Sequence, residues 1–146
     1  MKKRGQMKMS FGMIFSIILI IAFLAFAFYA IRNFLGMQQE VQINQFKENL
    51  QNDVDRLWKS TSGSNPVEYP LPSRIEEVCF YLDETGNYNM LLQEEKIFTE
   101  HNIKNIDIIE TVGEEEEICK EVVDGKISFK LEKDSSNPLV RIVMNN

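Results

Sequence analysis

Few side chains in this 146-residue chain are of types that do chemistry, and their spacing restricts them further. The single histidine, His101, lies between Glu100 and Asn102, a neighbourhood that makes no nucleophile motif. The chain has no G-x-S-x-G elbow, no H-E-x-x-H pair and no glycine-rich phosphate loop. His101 is therefore expected at the surface or in a turn. Asp83, Asn87, Asn89 and Glu94 offer oxygen ligands at intervals resembling a calcium loop. That loop requires glycine at its sixth position, where Tyr88 stands; Gly86 falls at the fourth. A turn is the expectation there, and a solvated loop is the expectation for the acidic run 114–117. The two cysteines, Cys79 and Cys119, suit a disulfide in an exported domain, with two free thiols as the alternative. A bond between them would close a loop of about 40 residues, worth roughly 3–4 kcal/mol on the chain-entropy estimate. Together with His101 they are too few, and too far apart in sequence, for a zinc site. No catalytic residue, cofactor site, metal site or small-molecule substrate is expected, and the chain does not read as an enzyme.

The elements that would position these residues begin with a hydrophobic run. Residues 11–31 carry no charge, and only Ser16 and Tyr29 have polar side-chain atoms. As a helix, at about 1.5 Å per residue, the run is about 30 Å long, the thickness of a bilayer's hydrocarbon core. A helix apolar on every side is not readily enclosed by the remaining residues, so a transmembrane helix is expected. Lys2, Lys3, Arg4 and Lys8 precede it without an acid, which orients the N-terminus to the cytoplasm and the rest to the outside of the cell membrane. The residues after the run hold 12 basic and all 22 acidic side chains, a balance of −10 that argues against a nucleic-acid partner. Removal as a secretory signal is the alternative, since Ala25-Phe26-Ala27 has the A-x-A form. That site lies inside the apolar run, which is longer than a signal core.

Residues 37–60 contain no proline or glycine. Ile43, Phe46, Leu50, Val54 and Leu57 step along them at intervals of 3 and 4, one stripe of an amphipathic helix. Gly36 interrupts the join with the apolar run at a cost of about 1 kcal/mol, a mild hinge rather than a stop. The cluster Ser60 through Pro66 reads as a turn, with Gly63 suited to a helix C-cap. Strands are expected at 75–82, 88–92, 119–123, 126–133 and 139–144, with a short extended piece at 67–69. Residues 93–112 fit either a short helix followed by a strand or two irregular strands. A turn is marked at Asp124-Gly125, and 126–133 with 139–144 form the clearest hairpin. The fold class is α+β: a long N-terminal helix, transmembrane in its first half and amphipathic in its second, packed on a small antiparallel sheet. The organisation is a basic leader (1–10), a transmembrane helix (11–31), an amphipathic continuation (32–62) and an exported β-rich domain (63–146).

The leader adds one motif. Lys3-Arg4-Gly5-Gln6 stands just before the apolar run. A basic leader ending in glycine, then a membrane helix continuing as an amphipathic stripe under a sheet, resembles the type IV pilin-like proteins, particularly archaeal ones with class III signal sequences. The whole chain is also similar to a group of small single-span archaeal proteins. The resemblance implies a membrane peptidase cutting between Gly5 and Gln6, and a retained helix that packs in a filament core. Ser10 stands where many pilins carry Glu, and Lys8 adds a charge where the family is usually apolar.

The function expected is therefore a membrane-anchored structural or assembly protein, a pilin or minor pilin-like subunit. Its partners would be the lipid bilayer and other membrane helices or copies of itself. Gly12, Ser16, Ala22, Ala25, Ala27 and Ala30 are small enough for neighbouring helices to approach. The alternative is a single-pass surface-anchored binding module, or an accessory subunit of a membrane complex.

Overall fold

The computed structural model describes residues 11–144. Gly5, Gln6 and the rest of the leader lie outside the described residues. The chain separates into two compact units, dividing between Gln39 and Glu40, and each is described by itself.

A single 48-residue helix, α1 (Phe11–Trp58), supplies all described residues of the first unit and opens the second. No proline occurs before Pro66, so nothing in this stretch removes a backbone donor. In the first unit the side chains of α1 are exposed on every face; Phe11, Phe23 and Phe26 are 84%, 69% and 69% accessible. In the second unit Ile43, Phe46, Leu50 and Val54 are buried and Leu57 packs against them, the stripe that the spacing requires.

Seven strands follow: β1 (Gly63–Pro70), β2 (Ile75–Tyr81), β3 (Met90–Glu94), β4 (Ile97–His101), β5 (Glu117–Glu121), β6 (Lys126–Lys133) and β7 (Arg141–Val143). A five-residue helix, α2 (Ile108–Val112), lies between β4 and β5. The strands divide between two antiparallel sheets, in the orders β1-β6-β7 and β4-β3-β2-β5. The architecture is thus α+β, with one long helix and two sheets. Alternation puts Ile127, Phe129 and Leu131 of β6 on the buried side, beside Val67 and Tyr69 of β1 and Ile142 of β7. Val78 and Phe80 of β2 and Met90 and Leu92 of β3 complete one core with the helix stripe. Edge contacts tie the layers together, Phe46 to Tyr69 at 5.5 Å and Phe80 to Phe129 at 6.0 Å between ring centres.

Three sequence expectations change here. The turn cluster is shorter than it reads, because Gly63–Pro66 already belong to β1, opposite Lys133–Lys130 of β6. Gly63 is not a left-handed helix cap. A Cβ there would lie 2.9 Å from Leu57 Cδ1, so its small size lets β1 start against the helix end. The helix is capped from a distance instead: the Lys133 ammonium donates to the carbonyls of Trp58 and, at 2.6 Å, of Ser60. Finally, residues 93–112 hold the end of β3, then the strand β4 and the helix α2. The helix is set by Asp107, which caps it by accepting from the Glu110 amide at 2.9 Å, and is stopped by Gly113 at φ 67°.

Candidate functional site

Cys79 on β2 and Cys119 on β5 are directly opposite one another and bonded, with Cα atoms 4.0 Å apart. The ladder explains the close approach. The Val122 amide donates to the Glu76 carbonyl and the Leu82 amide to that of Glu116, so the hydrogen-bonded pairs are the even positions of β2. Cys79 and Cys119 form a non-hydrogen-bonded pair, the closer of the two antiparallel geometries. Because side chains alternate, the bridge sits on the face of the sheet away from the core, with Glu77 and Glu121 opposite one another on one side and Tyr81 and Glu117 on the other. Cys79 is buried and Cys119 exposed. Ligand atoms of Glu77, Cys79 and Cys119 lie within 4.8 Å of one another, but both sulfurs are spent in the bond to each other and supply no thiolate.

His101 ends β4 and is half-buried, with its Nε2 enclosed and without a hydrogen-bond partner. Burial, and then the Lys47 ammonium, hold its pKa below the ordinary value. Lys47, Tyr88, Glu100 and Asn102 line a hollow beside it. None is a nucleophile with a base at hydrogen-bond distance, so the arrangement lacks the pairing that covalent catalysis requires. The calcium-like segment is a turn. The Asp83 carboxylate accepts from the Thr85 hydroxyl, from the Asn87 amide at 3.0 Å and from the Tyr88 amide at 3.3 Å, and these bonds pull its pKa down. Residues 114–117 are exposed.

The feature with the most unsatisfied surface is the first part of α1. It contains an 18-residue window of mean hydropathy 2.8 in which no residue is buried, so it is long and apolar enough to cross a membrane. Ser16, its one hydroxyl before Tyr29, donates back to the Gly12 carbonyl at 2.8 Å. Arg32, the first charge after the run, lies over the Phe28 ring at 4.9 Å.

No family model, curated protein or solved structure matches the chain.

Sequence reasoning missed one surface. Ile97 and Phe98 of β4 are 61% and 58% exposed on a free sheet edge. Their strand follows β3 through a two-residue turn at Glu95-Lys96, as Glu94 pairs with Ile97. Neither turn residue has positive φ, so no glycine or asparagine marks the hairpin in the sequence.

Proposed function

We propose that this protein is a membrane-anchored structural or assembly subunit of the type IV pilin-like kind, held by α1 and acting through packing of that helix against others. The observation that carries the reading is the division of labour along one helix. Its first part is apolar and exposed on every face, while from Ile43 a single stripe is buried beneath sheet residues. Lipid or other helices are the surroundings that match the first part, because water is a poor solvent for it. Gly12, Ser16, Ala27 and Ala30 project within about 60° of one another at 100° per residue, with Leu19 and Phe23 between them. That gives a face on which a second helix can approach closely near both ends of the run.

The pilin-like reading also assigns the leader: a peptidase cut between Gly5 and Gln6, with the helix retained. Intact mass of the protein extracted from membranes tests this. Loss of residues 1–5, abolished by Gly5→Leu, supports the pilin-like reading. An uncut N-terminus in both proteins supports the simple tether, in which the span only anchors the folded domain.

A further inference from the structure

We infer that β4 is a self-association edge, pairing antiparallel with β4 of a second copy of this chain. The proposal concerns the folded domain and does not depend on how the span packs or whether the leader is cut.

A sheet edge carries unpaired backbone groups, and natural domains blunt such edges with proline, shortness or charge. Among the described residues the two sheets have four edges, and three are blunted. β1 contains Pro66 and Pro70, which have no amide hydrogen to donate. β7 is three residues long, and the backbone of Asn105 and Asp107 already bonds the chain at Val140 just before it. β5 would set Glu117 against the partner's Glu121 if it paired with itself about Cys119, a like-charge contact repeated twice.

β4 has no proline, and its one carboxylate, Glu100, which accepts from the Tyr81 hydroxyl at 3.0 Å, meets no like charge when the strand pairs with itself. The Tyr81 amide points at β3, donating to the Asn89 carbonyl at 3.2 Å. Alternation carried across the register then directs the backbone of Ile97, Thr99 and His101 toward β3. The amide and carbonyl of Phe98 and of Glu100 are left facing the open edge. An antiparallel pair centred on Phe98 would join Phe98 to the partner's Phe98 through both groups. The same register sets Lys96 opposite the partner's Glu100 and Glu100 opposite the partner's Lys96, on one face of the joined sheet. Ile97 would face the partner's Thr99, covering apolar area now exposed. The charge pattern about Phe98 is self-complementary, so a copy of the same strand is the occupant it fits.

Charge exchange in the full-length, detergent-extracted protein provides the test. Native mass and co-purification of two differently tagged copies would be read for wild type, Lys96→Glu, Glu100→Lys and an equal mixture of the two variants. Each variant alone sets like charges against each other and should weaken pairing about tenfold. In the mixture the Lys96→Glu chain carries acids at both positions and the Glu100→Lys chain carries bases at both. Opposite charges then meet on either side of Phe98, so association should return to the wild-type level as mixed pairs. Phe98→Pro, which removes an edge amide but no bond to β3, should also separate the copies while leaving circular dichroism unchanged. Wild type that is monomeric, single variants that associate as wild type does, or a mixture that fails to recover would each overturn the proposal. Copies joined only through the span fall under the second of these outcomes.

Discussion

The Tyr69 hydroxyl on β1 donates to Oδ2 of Asp53 on α1 at 2.7 Å, while the Tyr69 ring lies 5.5 Å from Phe46, about two turns earlier on the same side of the helix. One side chain thereby fixes both the height and the rotation of the helix over the three-stranded sheet. Burial, and then the bond to Asp53, raise the hydroxyl's pKa above the usual phenol range, which favours the protonated, donating form. Tyr69→Phe keeps the ring contacts and removes only the bond. Urea unfolding of the detergent-extracted protein should show a loss of about 1 kcal/mol. Tyr69→Ala, which also empties part of the core, should cost about 3 kcal/mol or more.

The cap on α1 is supplied by Lys133, a residue 75 positions from Trp58. Lys133→Met keeps much of the side-chain length and leaves the carbonyls of Trp58 and Ser60 to water. A loss of about 1 kcal/mol is expected, with the Trp58 fluorescence maximum shifting to the red as the helix end loosens.

Gly125 follows Asp124 in a two-residue loop between Val123 and Lys126, whose backbones exchange two 3.0 Å hydrogen bonds. Both loop residues have positive φ, 51° at Asp124 and 70° at Gly125. Gly125→Ala should destabilise by about 1–2 kcal/mol, since an L side chain is disfavoured in this region. A Cβ there would also stand 3.4 Å from the Leu71 carbonyl oxygen. Asp124→Gly should be tolerated, and thermal unfolding of the two variants would separate the effects.

Glu132 receives Lys130 at 2.5 Å and Arg141 at 2.6 Å, and these two cations, Lys130 first, hold its pKa below the usual glutamate value. A lowered folded-state pKa means that this group's contribution is complete above the ordinary glutamate value and is lost as pH falls through the folded one. Glu132→Gln should therefore lower stability slightly near neutrality and leave it almost unchanged below the folded-state value, which flattens the acid limb of the profile. The carboxylate is only partly buried, at the sheet surface, so the effect should be small and should shrink with added salt.

Legibility in the sequence followed how local the determining physics was. The stripe from Ile43 to Leu57, the alternation in KISFKLEK and the Asp124-Gly125 turn each depend on near neighbours, and each was readable. The capping of α1 by Lys133 and the bond between Tyr69 and Asp53 depend on residues brought together only by the fold. The division of the strands into two sheets was hidden as well, because a strand's alternation identifies its buried face but not its partner. β4 lacked even a turn signal, since Glu95-Lys96 closes its hairpin without a residue of positive φ. As for the site, the apolar helix was plain from residues 11–31, whereas the exposed edge at Phe98 required the sheet order.

The exposed disulfide face gives a separate check on the domain. Reducing the Cys79–Cys119 bond, which spans 40 residues, should lower stability by roughly 3–4 kcal/mol on the chain-entropy estimate without dissolving the core, because the bridge lies on the opposite side of the sheet. A denaturation midpoint unchanged by reductant would contradict this.

Flotation of cell membranes through a density gradient after an alkaline carbonate wash tests the central claim most directly. An apolar helix on which water has no favourable purchase should carry the native chain upward with the lipid, and deletion of residues 11–31 should leave the protein at the bottom. Recovery of the intact chain, residues 11–31 included, in the lipid-free fraction would contradict the account of α1 as a membrane helix and the assembly reading built on it.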